Sequence, residues 1–307
     1  MSATSYHEPV LLKESVDALD ILADGIYVDA TLGGGGHTRE ILRRLGAKGK
    51  LFVFDRDEAA GANLPDDPRV VWVRHNYRYA WRFLRYYGAL PVNGLLADLG
   101  VSSHQFDSGE RGFSIRFDGP LDMRMANASE LTAADVVNRY PEDRLLKVFS
   151  DYGEIQNARQ LVRKILAARN LQPLTTTGQL REVVLSVADR ARESQYLARV
   201  FQALRIEVND ELASLRDLLE QSPKLLAPKG RLVFITYHSL EDRLVKRFIA
   251  DGQFEGEVEK DVYGNIPQTP FRALTRKPLE PSAEELERNP RARSARLRIA
   301  IRTDQNG

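Results

Sequence analysis

The sequence predicts a doubly wound α/β sheet carrying a helical insertion. Three observations predict it. A strand, a glycine loop, a helix and a second strand follow one another between Gly25 and Asp55, which is the βαβ unit of a parallel sheet with right-handed crossovers. Short apolar runs recur at Val70–Val73, Gly94–Leu99 and Arg231–Thr236. Between Ser103 and about Arg205 the apolar residues recur at helical spacing instead, with no convincing strand.

Each element has a local reason. Ile26 to Thr31 reads as a short buried strand. Leu32-Gly33-Gly34-Gly35-Gly36-His37 must be a loop, because four glycines lose too much chain entropy inside a helix or strand. Thr38 to Leu45 reads as a helix stopped by Gly46, and Leu51 to Phe54 as a strand ending in Asp55. Within the insertion, helical periods run through Leu145-Leu146…Phe149, Leu161-Val162…Ile165-Leu166 and Leu180…Val183-Val184…Val187. Thr132…Asp135 and Thr176…Gln179 have the spacing of capping boxes, and Pro141 suits a first helical turn. A helix from Asn209 to Leu226 returns the chain to the sheet. Pro228-Lys229-Gly230 leads into the 231–236 strand, and Ala295 to Ile301 alternates as an edge strand would. The expected division is 1–107, a helical insertion at 108–206 that recognises substrate, and 207–307 ending in a basic strand.

A chain of 307 residues is long enough for two domains or one with a large insertion. Cysteine is absent, which excludes disulfides, thiolate metal sites and cysteine nucleophiles and fits a reducing cytosol. Lys+Arg 44 against Asp+Glu 43 excludes a globally basic coat. Of those cations 34 are Arg. Arg suits planar, bidentate partners such as phosphate, although a GC-rich genome gives the same bias. No run approaches the ~18 apolar residues of a membrane span, and the N-terminus lacks the pattern of a signal peptide. A cytoplasmic protein without membrane contact is expected.

The glycine loop sits in strand–turn–helix context, where backbone N–H groups and close approach favour a ligand. Asp55 ends the next strand 19 residues after Gly36, where a carboxylate accepts hydrogen bonds from a ribose diol. The plainer alternative is a glycine turn and a surface aspartate. A dinucleotide site wants a third glycine where Thr38 stands. Asp29, four residues before Gly33, makes an Asp-x-x-x-Gly-x-Gly pattern. That pattern resembles the first motif of class I S-adenosylmethionine (AdoMet) methyltransferases, a Rossmann-like fold whose cofactor is cationic. Asp98 ends another apolar run, at a strand's carboxyl end.

Longer strings carry a closer resemblance. They are His7–Leu12, Gly33–His37, Asp98–Ser103, Glu110–Ser114, Asp118–Met125, Phe201–Ile206, His238–Arg243 and Asn289–Ser294. Together they resemble the bacterial ribosomal RNA small-subunit methyltransferase H family, also called MraW, from His7 to about Arg302. The resemblance implies a Rossmann-like AdoMet domain with a helical insertion. It also implies methylation of the exocyclic N4 of one cytidine in the decoding region of 16S rRNA. The expected setting is the small ribosomal subunit, and a homodimer is among the expected partners. The resemblance implies AdoMet contacts at Gly35, Gly36, His37, Asp55, Tyr77, Asp98 and Gln105. Tyr77 stands where the family pattern has Phe, and His104 where it has Pro.

Asp98, Tyr237 and His238 are the catalytic candidates. Asp98, or a backbone carbonyl from Asp98 to Val101, is expected to accept an N4 hydrogen, and Tyr237 to stack on the base. Ser239 with Asp242 reads as a helix cap, leaving Tyr237 and His238 at the sheet's carboxyl edge. The five histidines lack metal-ligand spacing, so no metal is expected. Arg74 to Tyr87 interleaves cations with aromatics, read foremost as an amphipathic helix on the sheet. Arg288 to Arg302 holds six Arg and no acid, a candidate phosphate track. The competing functions are a nicotinamide oxidoreductase, which Thr38 and Asp29 oppose, and a non-catalytic AdoMet-binding ribosomal protein.

Overall fold

A computed structural model describes residues 9–100, 111–115, 117–126, 129–256 and 269–303. The chain divides into two compact units, one of 1–100 with 213–307 and one of 101–212. The second is wider at both ends than the 108–206 read from the sequence.

The first unit is built on a seven-stranded sheet: β1 (Ile26–Asp29), β2 (Lys50–Phe54), β3 (Val70–Val73), β4 (Val92–Asp98), β5 (Leu226–Thr236), β6 (Phe271–Ala273) and β7 (Arg296–Arg302). Their order is β3-β2-β1-β4-β5-β7-β6. β3 through β5 run parallel, while β7 is antiparallel to both β5 and β6. Helices α1 (Leu12–Ala18), α2 (Gly36–Arg44) and α3 (Ala80–Tyr86) precede β4 in the chain. Tyr27, Val28, Leu51, Phe52, Val53, Leu95 and Leu96 are fully or almost fully buried, as expected for parallel strands covered on both faces. The order reverses at β1, so a crevice opens at the carboxyl ends of β1 and β4, the usual ligand position of such sheets.

In the second unit α4 (Ala133–Arg139), α5 (Glu142–Lys147), α6 (Ala158–Leu171), α7 (Thr177–Leu185) and α8 (Glu193–Asn209) enclose a separate core. Val136, Leu145, Phe149, Leu161, Ile165, Leu180, Val184, Val200 and Leu204 fill it. Both capping boxes form as spaced: Thr132 with Asp135, and Thr176 with Gln179. The Asp118–Met125 string has a packing role here. Asp118 accepts the Gly178 N–H at 2.7 Å, Leu121 and Met123 are buried, and Asn209 bonds the backbone of Met123 and Met125.

Two expectations need correction. The Asn209–Leu226 helix is interrupted at Asp210, a left-handed residue at φ 50°, which ends α8 before α9 (Glu211–Leu225). The terminal strand β7 is not an edge, because the short β6 lies outside it. Of the cations in the 288–302 run, those on β7 are partly engaged, while Arg291 and Arg293 are exposed. Arg298 grips Asp242 through two hydrogen bonds of 2.7 and 2.9 Å, Arg296 reaches the same carboxylate at 3.3 Å, and Arg302 donates to the Leu226 carbonyl.

Candidate active site

Each central strand has an apolar, buried stretch just before its carboxyl end and then meets a polar residue where the sheet opens. β1 ends on Asp29, β2 runs into Asp55, β4 ends on Asp98, and β5 runs into Tyr237 and His238.

The glycine loop is tied down from both sides. Asp55 accepts the Gly33 N–H at 3.0 Å through Oδ2 and the Asp57 N–H at 2.8 Å through Oδ1. The Asn63 amide donates to the Gly33 carbonyl at 2.8 Å. Gly35 caps α2 with φ +73°, and a Cβ there would lie 2.7 Å from the Asn63 carbonyl oxygen. Gly36 is constrained differently, since a Cβ would fall 1.9 Å from Pro9 Cγ. Gly33 and Gly34 would place a Cβ in open space. The outer side of the loop is thus bare backbone beside a carboxylate, which suits a nucleoside that approaches closely.

Behind the loop runs a buried polar chain. The Thr38 hydroxyl donates to Asp29 Oδ2 at 2.6 Å, and Asp29 Oδ1 accepts the Thr31 N–H at 3.1 Å. Thr31 Oγ1 in turn accepts the Asp98 N–H at 2.8 Å. His37 is buried, with Nε2 3.2 Å from the Val10 carbonyl and Nδ1 3.9 Å from Asp98 Oδ2. The carbonyl requires the proton on Nε2.

Asp98 also accepts a hydrogen bond from the Tyr237 hydroxyl. Gly100 makes that possible, because a Cβ there would meet the Tyr237 ring at 2.8 Å. The turn after β5 is pinned by Glu241, whose Oε2 accepts the Tyr237 N–H at 2.9 Å. Its Oε1 lies 3.0 Å from His238 Nε2, and both side chains are buried. His238 thus lies against Glu241, although neither of its ring nitrogens makes a hydrogen bond among the described residues. His238, not Ser239, is the N-cap of α10 (Ser239–Asp251). Asp242 is drawn away from any capping role by Arg298.

Tyr77 lies in a single turn after β3, half-buried, where Asn76 caps by accepting the Arg78 N–H at 2.9 Å. Gln105 lies outside the described residues. The structure therefore gathers Gly33–His37, Asp55, Asp98 and Tyr237 on one edge, and sets His238 against Glu241.

The electrostatics are distinctive. Burial pushes the Asp29 carboxyl up to about 6, against the opposing pull of His37 and Thr38. Burial likewise raises Asp55 and Asp98. It holds the Tyr237 hydroxyl protonated well above the ordinary tyrosine range, with the Asp98 charge adding to the effect. Carboxylates short of water are stabilised by a nearby cation and repel a pyrophosphate.

The model of one methylase family, MraW, matches residues 4–303. The chain belongs to the MraW methylase family. It is 54% identical over 296 residues to the ribosomal RNA small subunit methyltransferase H of Parabacteroides distasonis, covering 96% of this chain and 97% of that one. Identity to the enzyme of the same name from Flavobacterium johnsoniae is 55% over 295 residues, with 96% and 97% covered. In this MraW methylase several site residues escape sequence reasoning. Pro9 carries no chemical signal, yet it dictates Gly36. Thr31 and Glu241 act through backbone N–H groups, and only the folded strand ends bring them to Asp98 and Tyr237.

Proposed function

We propose that this MraW methylase transfers the methyl group of AdoMet to the exocyclic N4 of a cytidine in the decoding region of 16S rRNA, met within the small ribosomal subunit in the cytoplasm. The observation that carries the reading is the open glycine loop with Asp55 and Asp98 at the neighbouring strand ends and the wholly buried Asp29 behind it. A cationic nucleoside fits that set. A nicotinamide dinucleotide does not, because its pyrophosphate would face the acids.

AdoMet, when bound, supplies an electrophilic methyl group on a sulfonium. The remaining work belongs to the chain. Asp55 retains lone pairs for a ribose diol beyond the two N–H groups it holds. Gly33 to Gly36 offer backbone at close range, and Tyr77 supplies an aromatic wall. The N4 lone pair is delocalised into the cytosine ring, so alignment for in-line attack provides much of the rate. Asp98 accepts one N4 hydrogen and takes the proton released as the new N–C bond forms. Its raised pKa suits it to that task. Tyr237 orients the Asp98 carboxylate and presents its ring for the base, which must be flipped out or already open.

The test is transfer of labelled methyl from AdoMet to free 16S rRNA, small subunits and whole ribosomes. N4-methylcytidine in the decoding region is the expected product. No transfer to any of the three, or a methyl on a ring carbon, overturns the proposal.

A further inference from the structure

The outer surface of α3 carries an arrangement that the reaction centre does not use. No acid occurs from Pro68 to Ala97. The helix buries Ala80 and Leu84 and sets Phe83 against Phe54 and His75. Arg82, Arg85 and Tyr86 are exposed, at the i, i+3, i+4 spacing of one helix face. Further up the segment the cations are neutralised: Arg74 pairs with Glu58 and Arg78 with Asp217. Arg82 and Arg85 pair with no carboxylate among the described residues. Each guanidinium lies over a ring instead, Arg82 over Tyr79 at 5.5 Å and Arg85 over Trp81 at 5.0 Å. Such contacts hold the guanidinium in place while leaving its charge uncompensated.

Tyr86 is 82% exposed. It meets Tyr87 edge-on at 5.2 Å, and Tyr87 leans on Phe52 of the sheet at 5.6 Å. The ring is therefore propped from below with its outer side in water. A free phosphate would need the cations but not the ring, and the local run of cations without an acid from Pro68 to Ala97 favours a polyanion over a protein partner. Two ordered cations one helical turn apart beside a supported, exposed aromatic are the elements of a single-strand platform.

We propose that this face of α3 binds single-stranded RNA. Arg82 and Arg85 meet the phosphates and Tyr86 stacks on a base. The inference rests on the reading of RNA as substrate and adds where the strand next to the target runs.

The experiment uses the full chain with AdoMet and a labelled single-stranded RNA of decoding-region sequence, titrated at several salt concentrations. Arg82→Ala with Arg85→Ala should weaken binding and make the logarithmic salt slope shallower by up to about 1.4, the value for two phosphates on a single strand. Tyr86→Ala should weaken binding roughly fivefold or more at unchanged slope, and Tyr86→Phe should bind as wild type. AdoMet affinity and melting temperature should stay at wild type, since all three side chains are exposed. Wild-type affinity and slope in the variants, with RNA bound normally by the parent chain, would overturn the assignment of this face alone. A parent chain that neither binds nor methylates RNA would overturn the assignment and the proposed function together.

Discussion

Asp29 is the residue whose environment makes the sharpest prediction. It is wholly buried at the end of β1 and holds the Thr38 hydroxyl and the Thr31 N–H. Its carboxyl is raised from 3.8 to about 6, chiefly by burial. An acid whose folded pKa exceeds its unfolded value contributes stability that is full below the unfolded pKa and lost as pH rises through the folded one. The window here is about pH 4 to 6, and the contribution lost across it is about 3 kcal/mol. Asp29→Asn removes the titration. The amide can accept from Thr31 and donate to Thr38, but its second N–H is left without an acceptor, at about 1–3 kcal/mol. The variant should therefore be less stable than wild type at pH 4 and equal to it or more stable at pH 7.5. Urea unfolding across that range checks this. The difference between the two proteins should swing by about 3 kcal/mol toward the variant. Asp55 and Asp98 titrate in both proteins, so their effects largely cancel in the difference. Parallel stability curves would refute the reasoning.

Three further outcomes follow from the same geometry. Gly36→Ala should destabilise the fold by about 1–3 kcal/mol, because Pro9 occupies the space of the new methyl. Gly34→Ala should stay within about 0.5 kcal/mol, and equal unfolding midpoints for the two variants would contradict this. Asp55→Ala should weaken AdoMet binding by about 1.5–3 kcal/mol in a calorimetric titration, as a charged acceptor is lost; unchanged affinity would remove Asp55 from the site. Tyr237→Phe deletes the hydrogen bond that holds the Asp98 pKa down. That pKa then rises further, so the acidic limb of the rate profile should move to higher pH, and an unmoved limb would separate Tyr237 from Asp98.

The parallel core was readable because strands buried on both faces are written as apolar runs, and β1 to β4 fall within a few residues of those runs. The antiparallel end was not. Alternating cations in 296–302 look like a solvated edge, whereas Arg298 is spent on Asp242 and β6, three residues long, closes the sheet beyond it. The break at Asp210 depends on a left-handed φ, which the Asn-Asp pair permits but which the helical period across it hides. In the site, carboxylates at strand ends were found because position alone marks them. Glu241 was passed over and Ser239 misread because the i, i+3 spacing with Asp242 imitates a cap. The real acceptor is a glutamate that bonds the N–H of Tyr237.

Asp98, at the carboxyl end of β4, is proposed above to accept an N4 proton during methyl transfer. Single-turnover methylation of the small subunit at saturating AdoMet, comparing wild type with Asp98→Asn, tests it most directly. Wild type should yield N4-methylcytidine, and the variant should be slower by roughly 10²-fold or more, the scale of one positioned polar group. A variant with wild-type rate and wild-type AdoMet affinity would contradict it.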